Sequence, residues 1–100
     1  MPTHRKKLPL IHPGEILLED LRDIEVSLNQ LARNLRVPMN RINAIVNGKR
    51  SITADTAMLA RYFGTSAQYW MNLQTAYDLQ VVERTLGPRI ERDVLPRSAA

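Results

Sequence analysis

This 100-residue sequence predicts a single all-helical domain of five helices, and three observations carry that prediction. Apolar residues from Ile16 to Leu86 recur at helical spacing, and strand signals are weak throughout. The breaks between periodic stretches are helix punctuation: Pro13 and Pro38 at starts, Ser27, Thr53 and Ser66 as N-caps, Gly48, Gly64 and Gly87 as stops. The stretch Ser27–Thr53 reads as two short helices around a tight turn, the pattern of a helix-turn-helix.

Each element has its own signal. The first helix begins near Pro13, with Glu15 favourable at its positive end, and Ile16, Leu17, Leu21 and finally Ile24 form its inward stripe. The second starts at Ser27, with Gln30 completing an S-x-x-Q capping box and Val26 and Leu31 placed for a hydrophobic staple. Leu31 and Leu35 point inward, and small Ala32 permits a close crossing over the first helix. Arg36 and Val37 make the turn. The third helix runs from Pro38 to about Asn47 and stops at Gly48, which tolerates a left-handed backbone. The fourth is capped by Thr53, packs through Thr56, Ala57, Leu59, Ala60 and Phe63, and ends at Gly64. The fifth runs from Ser66 through Trp70, Leu73 and Tyr77 towards Leu86, with Gly87-Pro88 as its stop. The layout is therefore a basic arm over 1–12, a helical domain over 13–87 and a loosely held tail over 88–100.

Composition narrows the function. At this mass about two-thirds of the unfolded chain's surface can be buried, enough for one modest core. Without cysteine there is no disulfide framework, thiolate metal site or cysteine nucleophile. No apolar run approaches the ~20 residues that span a bilayer. The arm's basic residues precede apolar ones, but Pro9, Pro13, Glu15, Glu19 and Asp20 interrupt any signal-peptide core, so a cytoplasmic protein is expected. His12 and Glu15 have a spacing two metal ligands could share, yet a third is missing; orienting the start of the first helix suits His12 better. No nucleophile triad, phosphate-binding glycine loop or zinc spacing appears, so neither an enzyme nor a cofactor is expected.

Charge points to a polyanion. Fourteen Lys+Arg against ten Asp+Glu give +4, and the distribution says more than the sum. Between Ser27 and Thr53 the charges are Arg33, Arg36, Arg41, Lys49 and Arg50, all positive, while Glu15, Glu19, Asp20, Asp23 and Glu25 sit before them. On a wheel of the third helix, Ile42, Ile45 and Val46 share one side, and Asn40, Asn43, Ala44 and Asn47 share the other. Three asparagines cost helix propensity. Asn pairs bidentately with adenine in a major groove, Ala44 allows close approach, and Arg41 reads guanine or holds a phosphate. The bland alternative is a solvated face with Asn47 simply ending the helix. Ser27, Asn29, Gln30 and Arg33 lie where the first helix of such a motif crosses the phosphate backbone, although capping is the main role of Ser27 and Gln30. Lys49 and Arg50 are phosphate clamps or ordinary loop charge. Arg5, Lys6 and Lys7 reach along the DNA or remain solvated. Val81, Val82 and Leu86 extend beyond what a compact core covers, which suggests a homodimer interface; packing against the tail through Ile90 and Val94 is the alternative.

HPGEIL at 12–17, SLNQLARNLRVP at 27–38, IVNGKRSITADTAMLARYFG at 45–64 and SAQYWMNLQTAYDL at 66–79 together resemble the HigA family of antitoxins, within the lambda-repressor-like, Xre-type helix-turn-helix proteins. The resemblance covers roughly residues 8–95. It implies the antitoxin of a type II toxin–antitoxin module: a dimeric repressor of its own operon that also neutralises a RelE-like (HigB-type) toxin cleaving messenger RNA. It implies base reading at Met39, Asn40, Asn43, Ala44 and Asn47. Met39 departs from the polar residue usual at that point, and either reads a methyl group or packs. A stand-alone Xre-type repressor without a toxin is the alternative.

Overall fold

The computed structural model describes residues 10–98, and among these every regular element is helical. The order is α1 (Pro13–Asp23), α2 (Leu28–Leu35), α3 (Met39–Val46), a 3-10 turn (Thr53–Asp55), α4 (Thr56–Phe63), α5 (Ala67–Thr85) and α6 (Gly87–Asp93). Six helices replace the five expected. The addition is α6, which opens on the Gly87-Pro88 dipeptide read above as a stop. Proline in a first turn lacks only an N–H that has no helical partner there. The expected boundary after residue 87 therefore falls inside a helix. The N-terminal arm, apart from residues 10–12, lies outside the described residues.

Local chemistry accounts for most helix ends. Ser27 Oγ accepts the Gln30 N–H at 3.1 Å, and Ser66 Oγ accepts that of Tyr69 at 3.0 Å. The reciprocal capping box belongs to α1 instead: His12 Nδ1 accepts the Gly14 N–H at 2.9 Å, and Glu15 Oε2 accepts the His12 N–H at 3.1 Å. Gly48 and Gly64 follow α3 and α4 with positive φ, as anticipated. Arg36 closes α2 at φ 59° without being glycine.

The core comprises Leu17, Leu21, Leu31, Ala32, Ile42, Ile45, Ile52, Leu59 and Trp70. Burying each large side chain contributes about 1.5–3 kcal/mol, so this cluster is what holds α1–α4 and the start of α5 together. The tight crossing differs from the expected one. It joins α1 to α3, where a Cβ built on Gly14 would lie 1.9 Å from the Ile45 carbonyl oxygen and 2.9 Å from the Val46 Cα. Only glycine admits that approach. Ile24, expected on the inward stripe, is half exposed because α1 ends at Asp23 and the chain turns through Glu25 at φ 56°. Thr53 opens a 3-10 turn rather than α4 itself, and Ala57 faces out while Thr56 and Leu59 face in.

A buried polar link fixes the segment after α3. Gln74 of α5, almost wholly buried, accepts the Ile52 N–H at Oε1 (2.9 Å) and donates from Nε2 to Asp78 Oδ1 (2.9 Å). A buried amide left without a partner costs about 1–3 kcal/mol, so Gln74 holds the end of the Lys49–Ile52 loop in place.

Candidate nucleic-acid interface

Helix α3 is anchored from below and open above. Ile42 and Ile45 are fully buried, whereas Asn40, Asn43 and Asn47 are exposed and Ala44 is half-buried between them. An eight-residue helix gains little from propensity, so packing on Leu17, Leu31 and their neighbours supplies its stability. That leaves the outer row free of structural duty. Asparagine offers a donor and an acceptor side by side, which is what an adenine edge presents in complement. Met39, at the start of α3, is half-buried and packs against the core.

The backbone after α3 turns tightly enough to present cations beside that row. The N–H groups of Gly48 and Lys49 return to Ile45 O (3.0 Å) and Ala44 O (2.8 Å), with Gly48 at φ 74° and the His12 ring against it. Lys49 and Arg50 are exposed there. Ser27, Asn29, Gln30 and Arg33 are exposed at the start and along the outside of α2. The DNA-contact residues predicted between Ser27 and Arg50 thus lie on the two helices of the motif, at their caps or in the turn that follows them.

Arg41 stands apart from its neighbours. Its Nη2 forms an ion pair with Oδ1 of Asp55, a carboxylate that is almost entirely buried, and Arg50 Nε lies 3.9 Å from Asp55 Oδ2. Asp55 was not anticipated. The available signal was charge spacing, since it is the first acid after Glu25 in a stretch that otherwise holds only cations. Burying a carboxylate is costly unless it is paired, and the two arginines supply that pairing. An open concavity lined by Pro38, Asn40, Arg41, Ala44 and Arg50 lies over the cluster.

No group of histidine and acidic side chains among the described residues is placed to hold a metal ion. His12 and Glu15 are engaged in capping α1. Burial lowers the His12 pKa, outweighing Asp78 and Glu15, which act to raise it. The acceptor role of Nδ1 agrees with a neutral ring protonated at Nε2. Its ring also meets Tyr77 edge-on, with centroids 4.9 Å apart.

Comparison with known proteins places this geometry. The chain is 51% identical over 86 residues to virulence-associated protein I of Dichelobacter nodosus, covering 84% of this chain and 80% of that protein. A HigA-family addiction module antidote protein from Coxiella burnetii superposes with TM-score 0.84 at 49% identity, over 90% of this chain and 100% of the other. Pseudomonas aeruginosa antitoxin HigA, solved with the higBA promoter, gives TM-score 0.84 at 43% identity, again over 90% and 100%. No family model matches the sequence. The chain belongs to the HigA family.

This HigA-family chain carries a second surface at its other end. Val81 is half-buried on α5, and Val82 and Leu86 are exposed. Leu79, Ile90, Val94 and Leu95 are also exposed, so α6 and the residues after it leave these side chains open. Helix α6 meets α5, but Ile90 and Val94, through which the tail would cover these side chains, are themselves exposed. Basic residues Arg5, Lys6 and Lys7 lie outside the described residues, as does any contribution they make to either surface. No described helix is long and apolar enough to cross a membrane.

Proposed function

We propose that this chain is the antitoxin of a type II toxin–antitoxin module, acting in the cytoplasm as a homodimeric repressor of its own operon and as the neutralising partner of a RelE-like, mRNA-cleaving toxin. The observation that carries the DNA half is the outer row of α3: Asn40, Asn43 and Asn47 exposed around Ala44, on a helix whose opposite side is fully buried. In this reading α3 enters the major groove. Asn40, Asn43, Ala44 and Asn47 meet base edges, while Ser27, Asn29, Gln30, Arg33, Lys49 and Arg50 set the register on phosphates. Arg41 contributes from the rim of the concavity, held back by Asp55, and Met39 supports the start of the helix. The similarity to a HigA antitoxin solved with its promoter supports the assignment. Toxin neutralisation rests on family membership.

Dimerisation follows from the reading geometry. One short helix contacts too few bases for useful specificity, whereas a two-fold dimer reads two half-sites about one turn of DNA apart. Val81, Val82 and Leu86 supply the apolar contact.

The test is a gel-shift titration against the chain's own upstream promoter, with a scrambled duplex as competitor. Competitor-resistant binding is expected, and equal affinity for both duplexes would refute operator recognition. Asn40→Ala with Asn43→Ala is expected to lose about 1–3 kcal/mol of discrimination per base contact with the fold intact. Co-expression with the adjacent gene checks neutralisation: growth restored by this chain identifies the antitoxin, and growth arrest unrelieved by it leaves a stand-alone repressor.

A further inference from the structure

We propose that Asp55 sets the DNA specificity of the α3 face by withholding positive charge from it; this rests on the reading of α3 as the base-reading helix. Residues 26–54 contain five cations and no acid, and the carboxylate that follows them is buried directly behind the recognition surface. Asp55 holds Arg41 through Oδ1, while Oδ2 faces Arg50 at 3.9 Å. The grip is incomplete on both sides, because Asp55 Oδ2 and Arg41 Nε are buried without hydrogen-bond partners. One carboxylate therefore serves two guanidinium groups, and the trio carries +1 instead of +2.

The concavity above it opens between Asn40, Ala44 and Arg50, beside the base-reading row. A DNA phosphate arriving there competes with Asp55 for Arg50, while Arg41 remains with the carboxylate. Phosphate attraction is independent of sequence, so each cation withheld lowers binding to every duplex and leaves discrimination to the asparagines. Asp55 touches no base. It is a positioning residue that acts through the two arginines.

The experiment measures dissociation constants for the operator and a scrambled duplex across a salt series. Asp55→Asn is expected to bind the scrambled duplex several-fold more tightly at low salt. Its plot of log K against log salt should steepen by about 0.9, one further phosphate, and its operator-to-scrambled ratio should fall. A folded Asp55→Asn protein with unchanged slope and ratio overturns the proposal, as does one that loses both affinities alike, the sign of a purely structural residue. Should Asp55→Asn fail to fold, the arginines carry the test. Arg41→Gln lets Asp55 capture Arg50, so Arg41→Gln, Arg50→Gln and the double variant should all lower the slope by the same ~0.9. Additive falls would mean two independent phosphate contacts and would overturn it. Wild-type protein that shows no operator preference refutes the reading of α3 and this proposal together, whereas operator preference with an unresponsive Asp55 refutes the proposal alone.

Discussion

Helix α5 is two helices in function. Its first half contributes Trp70, with no exposed surface, and buried Gln74, whereas its second half has no fully buried residue and presents Leu79 and Val82 to solvent, with Leu86 exposed just past its end. Helix α6 continues the second pattern without one buried residue. Large apolar side chains occur in both halves, so hydrophobicity alone does not decide which is covered. What differs is the opposing surface: Trp70 packs on Phe63 of α4 and Gln74 bonds the Ile52 N–H, whereas beyond Tyr77, which meets the His12 ring, no side chain of α5 is buried. The difference separates residues that make the protomer fold from residues that have apolar area left for a partner.

The largest expected effect breaks the first half. Trp70 fills the base of the core, donates its Nε1–H to Thr65 Oγ1 at 2.9 Å and packs on Phe63 and Tyr69. Trp70→Ala should lower stability by about 3–5 kcal/mol in chemical denaturation, the range for emptying a large buried aromatic site. A loss below 1 kcal/mol would show that the first half of α5 is no more essential than the second.

Gly14→Ala tests the same folding unit from the opposite end. Alanine raises helix propensity by about 1 kcal/mol. The added Cβ nevertheless meets backbone atoms of Ile45 and Val46, which cannot rotate away as a side chain would. Overpacking of this kind costs about 1–3 kcal/mol, and against backbone atoms the upper end applies, so after the propensity gain a net loss of up to about 2 kcal/mol is expected. Because the displaced element is α3, operator affinity should fall along with the melting temperature. Stability equal to or above wild type would mean that α1 and α3 are free to separate.

His12 gives the pH dependence of this region. Burial lowers its folded-state pKa below the unfolded value of about 6.5, so the unfolded chain binds the proton more readily. The stabilising contribution is complete above that value and is lost as pH falls below it. Protonation also removes the Nδ1 acceptor that caps α1, a loss of about 1 kcal/mol. Melting temperature should therefore drop between pH 7 and pH 5 in the wild type. His12→Asn, which caps without titrating in that range, should flatten the profile; an equally steep profile in the variant would assign the effect to other groups.

Much of the folding unit was readable in the sequence because its signals are local. Ser27 and Ser66 cap the residues three positions on, Gly48 and Gly64 fall where a left-handed residue is needed, and Ile42 and Ile45 recur with the period of the helix they anchor. The misreadings occur where local pattern ends. Ile24 continues a wheel that the chain has already left, and Ala57 was phased to a helix that starts three residues later than its expected cap. Asp55 and Gln74 were missed for a different reason. Each looks like an ordinary surface residue until Arg41, fourteen positions earlier, or Ile52 in a loop is brought against it. On the candidate site, the asparagine row was legible from α3 alone, but the restraint on Arg41 is tertiary and leaves no periodicity to read.

The smallest effect on folding is expected at the far end of α5, and there the comparison becomes sharpest. Val82→Asp with Leu86→Asp replaces two exposed apolar side chains by charges that remain hydrated in an isolated protomer. Surface changes of this type usually shift stability by no more than about 0.5 kcal/mol. In a symmetric interface the same pair places four carboxylates in an apolar contact, where desolvation and like-charge repulsion both oppose association. Sedimentation or light scattering should therefore report a folded monomer, and operator binding should weaken through loss of the second half-site. Any destabilisation measured would depend on protein concentration, since dimerisation contributes to apparent stability by mass action. A variant that stays dimeric would move the interface elsewhere. A monomer that unfolds independently of concentration would join this end of α5 to the folding unit and remove the distinction between its halves.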